Sequence, residues 1–330
     1  MSFLWQNNIM GRLVSPVALA CLAFGLLLGG GVVAWWNHSA DSISGNSYPL
    51  LDPSAIYVGK HDLLVRFQPL RQSLLDQYTE HPDFHVGLYF EYLPTGANIV
   101  VNNDRAMWPA SLIKIPVAMA ALKKVERGEW KLTNELVILD EDKDASFGSL
   151  YEQPTGTTMT IEALLRATLI DSDNTAHFVL LRNLSANELE DAFFHLGLEE
   201  VLEKLKSNPT ADAEDNRMTA KTYSVFFRSL YNATYLSAPY AELFLTFLLE
   251  SGNEYARNGL PPDTTFAHKT GVRLEEGVWA DSGIVYLNRR PYILTIMLEQ
   301  REGIQTSTEE EVQKLFSDIS NEVYTYVSSL

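Results

Sequence analysis

Residues 13–36 read LVSPVALACLAFGLLLGGGVVAWW and contain no charged side chain. As a helix rising about 1.5 Å per residue, such a run spans roughly 36 Å, enough to cross a bilayer with some tilt. Trp35 and Trp36 stand where an interfacial aromatic belt belongs. Arg12 precedes the run, and neither Lys nor Arg follows it until Lys60. This asymmetry predicts a retained transmembrane anchor, with residues 1–12 in the cytoplasm and the bulk of the chain outside it. A cleaved signal peptide is the competing reading. Against it, neither Ala34 before two tryptophans nor His38-Ser39-Ala40 makes a good small-x-small site. Lipidation at Cys21 fits less well still, because strongly apolar sequence follows it. Residues 37–62 are mostly polar and read as a linker.

From residue 63 to 330 the pattern is globular, without an internal repeat. Phe84–Leu93 alternates and carries aromatic and β-branched residues, Pro94-Thr95-Gly96 turns it, and Asn98–Val101 reads as the returning strand. Helical periodicity follows over Ser111–Arg127, where Pro109 precedes and Gly128 ends the pattern. It recurs over Thr160–Ile170, Thr175–Asn183, Ala186–His195, Glu199–Lys206 and Thr219–Tyr231. Strands return at Thr265–Thr270, Trp279–Leu287 and Tyr292–Glu299, and a helix over Thr308–Val327 closes the chain. The expected fold class is α+β: an antiparallel sheet built from N- and C-terminal strands with flanking helices, plus a helical subdomain. A cleft between the two is the natural place for a site.

Composition narrows the function classes. Apolar residues make up 46%, enough for a substantial core. A formal charge of −17 argues against a nucleic-acid partner, which requires clustered Lys and Arg. The single cysteine, Cys21, excludes an intrachain disulfide and a cysteine-built metal site.

Three short motifs carry the candidate chemistry. In Ser111-Leu112-Ile113-Lys114 the serine and lysine are three apart and share a helix face. A serine hydroxyl is a weak nucleophile until a base takes its proton, and a lysine of lowered pKa can be that base. Alone, the pair is also compatible with an ordinary helix start. Ser172-Asp173-Asn174 lies between two helical patterns and reads equally as an N-cap. Lys269-Thr270-Gly271 ends an expected strand, where glycine permits close backbone approach and lysine supplies a fixed charge.

The ordered triple resembles that of the class A β-lactamase-like, penicillin-recognising serine hydrolases. Pro154-Thr155-Gly156-Thr157-Thr158-Met159-Thr160, followed by Ile161-Glu162-Ala163-Leu164-Leu165, resembles that family's lead-in to the second motif. The likeness covers about residues 65–330. The spacing of the first two motifs is close to the class A separation, and that of the last two is somewhat shorter. The resemblance implies an acyl-enzyme at Ser111, with Lys114 as base, Ser172 as proton relay and Lys269 tuning it. Asn174 and Thr270 would orient substrate, Gly271 would allow its approach, and the amides of Ser111 and Val272 would form an oxyanion hole, with neither a metal nor an organic cofactor required.

One element departs from the family pattern. No Glu-x-x-Leu-Asn element, whose glutamate positions the deacylating water in class A enzymes, occurs between Ser172 and Thr219. Asp212 and Glu214, in the acidic stretch 207–216, are candidates for that task, although a solvated loop is the plainer account. His268, Arg273 and Tyr151 are further candidates for contact with substrate. Three functions remain open: a β-lactamase-like hydrolase, a D-alanyl-D-alanine-type peptidase acting on cell-wall peptides, and a non-turnover β-lactam-binding sensor or relic. The expected location is extracytoplasmic on a bacterial membrane, which suits the peptidase, whereas a sensor would need more than the 12 residues before the anchor; the oligomeric state is left open.

Overall fold

The computed structural model describes residues 66–207, 217–252, 254–303 and 308–330. The expected anchor at 13–36, the linker at 37–62, and Asp212 and Glu214 lie outside the described residues. No helix among the described residues is long and apolar enough to cross a membrane.

Helix α1 (Gln68–Tyr78) leads into strands β1 (Phe84–Tyr92) and β2 (Ala97–Val101). Helix α2 (Lys114–Glu126) follows, then strands β3 (Glu135–Val137) and β4 (Thr158–Thr160). The helical middle comprises α3 (Ile161–Leu169), α4 (Asn174–Arg182), α5 (Ala186–His195), α6 (Glu199–Ser207), α7 (Ala220–Tyr231) and α8 (Ala238–Leu249). Strands β5 (Thr265–Arg273), β6 (Val278–Tyr286) and β7 (Tyr292–Gln300) return, and α9 (Glu309–Ser328) ends the chain. The main sheet runs in the order β2-β1-β7-β6-β5, antiparallel throughout. The first and last strands of the sequence therefore meet at β1–β7, as an α+β arrangement of terminal strands requires.

Period-two alternation divides the sheet between two cores. Val86, Leu88 and Phe90 of β1 and Leu294, Ile296 and Leu298 of β7 join the core under α1 and α9. Tyr89, Ala267, Ala280, Ile284, Ile293 and Met297 face the helical middle. The same alternation sets the direction of residues near the last motif. Ala267, Lys269 and Gly271 share the helical face, while Phe266 and His268 face the other way.

Two helices escape the sequence pattern. Most of α8, APYAELFLTFLL, is apolar, so no polar face marks its period; Ser237 and Pro239 open it. Helix α1 buries Leu70, Leu74 and Tyr78 at fourfold spacing behind Pro69, a pattern overlooked amid its polar residues. The paired β3 and β4 have three residues each, too few for an alternation to show. Boundaries shift at the motifs. Strand β5 extends to Arg273, so Lys269-Thr270-Gly271 lies within it rather than at its end. Ser111 lies on a 3₁₀ turn, Ala110–Ile113, and the α-helix begins at Lys114. Asp173, not Ser172, caps α4. His81 and His85 are four apart but flank the start of β1; the His81 ring accepts the Asp83 and Phe84 amides at 3.3 Å each.

Helix α7 is tied to β1 by a charged contact. Arg228 Nε donates to Glu91 Oε2 at 2.8 Å, and Tyr89 donates to the same oxygen at 3.0 Å. Glu91 is buried. Arg228→Met leaves that carboxylate without its charged partner and is expected to cost about 2 kcal/mol, read as a lower urea midpoint. Adding Glu91→Gln should restore part of the loss; an Arg228→Met midpoint equal to wild type would show that the contact contributes nothing.

Candidate active site

The 3₁₀ turn that carries Ser111 is held in an uncommon backbone shape. Ala110, just before it, has φ +48, in the left-handed region where a side chain is unfavourable. Leu112 N–H donates to Pro109 O at 3.0 Å, and Tyr223 of α7 donates its hydroxyl to Leu112 O at 2.6 Å from the core side. Strand β5 presses against the turn at Gly271. A Cβ there would lie 2.9 Å from Ser111 N and 3.0 Å from Pro109 O. Glycine at 271 therefore permits the close approach of β5 to the Ser111 turn.

Lys114 enters from the first residue of α2 and is 2% exposed. Its Nζ lies 3.1 Å from Ser111 Oγ, 2.6 Å from Ser172 O, 3.3 Å from Ser172 Oγ and 2.5 Å from Asn174 Oδ1. Lys269, 1% exposed, reaches the same Ser172 hydroxyl from β5 at 2.9 Å and donates to Thr270 O at 3.2 Å. Two buried lysines thus converge on one hydroxyl. Burial pushes the Lys114 pKa down to about 8, against the pull of Asp173 and Asp144. Burial and then the Lys114 charge push Lys269 down to about 7, opposed by Asp281, Glu254 and Asp171. His177, one turn along α4, is buried, and its pKa falls to about 3 by burial and then by Lys114.

Ser172 has φ +56, another non-glycine residue in the left-handed region. Asp173 holds the chain there. Its Oδ1 accepts Ala176 N–H at 2.8 Å, and its Oδ2 accepts the amides of Ser149 and Leu150 at 2.7 and 2.9 Å. The loop 144–150 is thereby clamped onto the Ser172 turn. Gly148, at φ +92, permits the contact, since a Cβ there would meet Asp173 Oδ2 at 2.1 Å. Asn174 N–H donates to Phe147 O at 3.0 Å, and Phe147 leaves its ring 55% exposed.

The structure thus brings Ser111, Lys114, Ser172, Asn174 and Lys269 into one hydrogen-bonded cluster, with Thr270 and Gly271 beside it. Val272 follows Gly271 on β5 and packs partly into the core under α1 and α9. Three further candidates have other partners. His268 is turned to the opposite face of the sheet, 2.9 Å from Asp281 Oδ1 and 3.0 Å from Gly252 O, with its ring stacked on Phe266. Arg273 pairs with Glu276 and lies over the Trp108 ring at 4.8 Å. Tyr151 donates to Glu152, not to the cluster. Sequence reasoning missed Asp144, Phe147, Tyr223 and His177. Only His177, one turn beyond Asn174, had a positional signal.

Several known proteins resemble the chain. A family model described as the beta-lactamase enzyme family matches residues 69–327. The chain is 25% identical over 249 residues to beta-lactamase VEB-1 of Pseudomonas aeruginosa, covering 68% of this chain and 80% of that protein. It is 27% identical over 250 residues to a beta-lactamase of Streptomyces lavendulae, covering 73% and 79%. Among solved structures, PBP-A superposes with a TM-score of 0.70 at 25% identity, covering 80% of this chain and 97% of that one. A single-residue variant of PBP-A, solved as an acyl-enzyme complex with penicillin G, gives 0.69 at 25% identity, covering 79% and 97%.

The lysine shifts have a thermodynamic consequence. An unfolded lysine titrates near about 10.4. Between the folded value of about 7 for Lys269 and that limit, the unfolded chain binds more protons than the folded one, so stability rises with pH. The stability of wild type relative to Lys269→Met, from urea titrations, is expected to increase steadily from pH 7 to pH 10. A constant difference would contradict the burial of a proton-poor lysine.

Proposed function

The chain belongs to the beta-lactamase enzyme family of serine hydrolases, and from that premise we propose that Ser111 is its nucleophile. The acyl donor is a β-lactam or a related cell-wall amide. One observation carries this reading: Lys114 Nζ, of lowered pKa, lies 3.1 Å from the Ser111 hydroxyl. Ser111 Oγ bonds to the carbonyl carbon while its proton passes to neutral Lys114. The amides of Ser111 and Val272 receive the developing oxyanion. As the C–N bond breaks, the departing nitrogen takes a proton from Ser172. That proton is replaced from Lys114 or Lys269, which lie 3.3 and 2.9 Å from the Ser172 hydroxyl. Asn174 meets the carbonyl of the acyl side chain, and Thr270 with Lys269 meets a substrate carboxylate. The penicillin G acyl-enzyme of a PBP-A variant supports a β-lactam as one such donor.

Release is the slow half of the cycle. Its support is the sequence between Ser172 and Thr219, which holds no Glu-x-x-Leu-Asn element. A slowly released acyl group favours a peptidase of D-alanyl-D-alanine type, trapped by β-lactams, over a fast lactamase. Residues 13–36 anchor the enzyme, with the catalytic domain on the extracytoplasmic face of a bacterial membrane. The uncharged run and the lack of Lys or Arg between Arg12 and Lys60 support that placement.

Two measurements test these proposals. Intact-mass spectrometry with penicillin G is expected to show one covalent adduct on wild type and none on Ser111→Ala. Its rate of formation should rise with pH to a plateau, with a midpoint near about 8, because only neutral Lys114 accepts the proton. An adduct that survives in Ser111→Ala sinks the assignment. In intact cells, a protease added outside should degrade the domain while it pellets with membranes; protection, or release into the supernatant, would remove the anchor.

A further inference from the structure

Asn174 sits between two side chains that hold its amide at opposite ends. Its Oδ1 accepts from Lys114 Nζ at 2.5 Å, and its Nδ2 donates to Asp144 Oδ1 at 3.0 Å. A primary amide is nearly symmetric in shape, so what its two ends meet sets its polarity. Lys114 alone sets it weakly. An ammonium requires the amide oxygen, but a neutral amine can also accept from the N–H₂ end. An ionised carboxylate only accepts. Burial raises the Asp144 pKa, but hydrogen bonds from Ser146 and Asn174 and the Lys114 charge outweigh it, leaving the group below its ordinary value. Asp144 is also well fixed. Its N–H donates to Thr175 Oγ1 at 3.1 Å, and its Oδ1 accepts Ser146 N–H at 2.8 Å.

We propose that Asp144 is a positioning residue that locks the Asn174 amide, oxygen toward Lys114, throughout the proton cycle of that lysine. The second Nδ2 hydrogen then stays available for the acylamino carbonyl of a substrate. This rests on the acyl-transfer reading above. A flipped amide would set its oxygen against the Asp144 carboxylate and against the substrate carbonyl, exchanging two hydrogen bonds for two repulsions. The Asp144 charge also acts on Lys114 itself. With Asp173 it favours the ammonium, while burial opposes it; Lys269 on β5 and His177 on α4 are in turn lowered by the Lys114 charge.

The test is Asp144→Asn, close in shape but able to face either end of the amide. Acylation of Ser111 is compared between penicillin G and 6-aminopenicillanic acid, which lacks the side-chain carbonyl. Penicillin G is expected to acylate the variant about tenfold more slowly at a pH above the Lys114 midpoint, and 6-aminopenicillanic acid at nearly the wild-type rate. In the same variant, the Lys114 titration followed by lysine-selective NMR should move down by about half a pH unit. Equal slowing of both substrates with an unmoved Lys114 midpoint would overturn the lock. Absence of any adduct on wild type would instead remove Ser111 as nucleophile. The lock is then judged by the Lys114 midpoint and the Asn174 side-chain amide signals, which Asp144→Asn must shift if it is real. If Asp144→Asn does not fold, Asp144→Ser, which retains the backbone contact to Thr175, carries the same expectations.

Discussion

Two lysine side chains buried around one serine hydroxyl dominate this structure. Nζ of Lys114 and Nζ of Lys269 both reach Ser172 Oγ, and burial lowers both pKa values. Holding two such groups out of water is unfavourable unless each is well supplied with acceptors. The surrounding structure supplies them: Ser172 O, Asn174 Oδ1 and Ser111 Oγ for Lys114, and Thr270 O for Lys269. These acceptors come from three segments, the Ser111 turn, the Ser172–Asn174 turn and strand β5, so the cluster forms only when sheet, helix and loop are all in place.

Much of the fold near the cluster can be understood as support for that arrangement. Gly271 lets β5 approach the Ser111 turn, and Gly148 lets the 144–150 loop approach Asp173. Asp173 spends its carboxylate on three backbone amides rather than on substrate. Left-handed φ values at Ala110 and Ser172 stand next to or at the serines of the cluster. Such strain persists only where neighbouring contacts over-determine the backbone, and here Tyr223 and Asp173 provide them.

The proposed chemistry uses the same groups in a defined order. A lysine kept proton-poor by burial can act as a base near neutral pH, which an exposed lysine cannot. Burial opposes its ammonium form, and Asp173 and Asp144 favour it. The balance between them, rather than any single contact, sets the state of the Ser111–Lys114 pair. His268, although adjacent to Lys269, faces Asp281 across the sheet and stands outside this balance.

The sequence alone was enough for the α+β class, the three motifs, the antiparallel strands and most helix limits. These follow from periodicity and local chemistry, which act over a few residues. It was also enough for the serine–lysine pair, because three residues along one chain fix that distance within a turn. What it could not decide depends on residues far apart in the chain. Alternation in β5 places His268 opposite Lys269, but which face holds the cluster is settled only by what packs on each side of the sheet. Helix α8 is apolar over most of its length although only Ala241, Phe244, Leu245, Phe247 and Leu248 are buried, so its sequence does not mark the face that packs. Asp144 gave no local signal at all: it lies in an acidic stretch of loop, and only the clamp through Thr175 and Asp173 brings it against Asn174. Local patterns carry the elements and the serine–lysine pair; long-range packing decides which groups that pair meets.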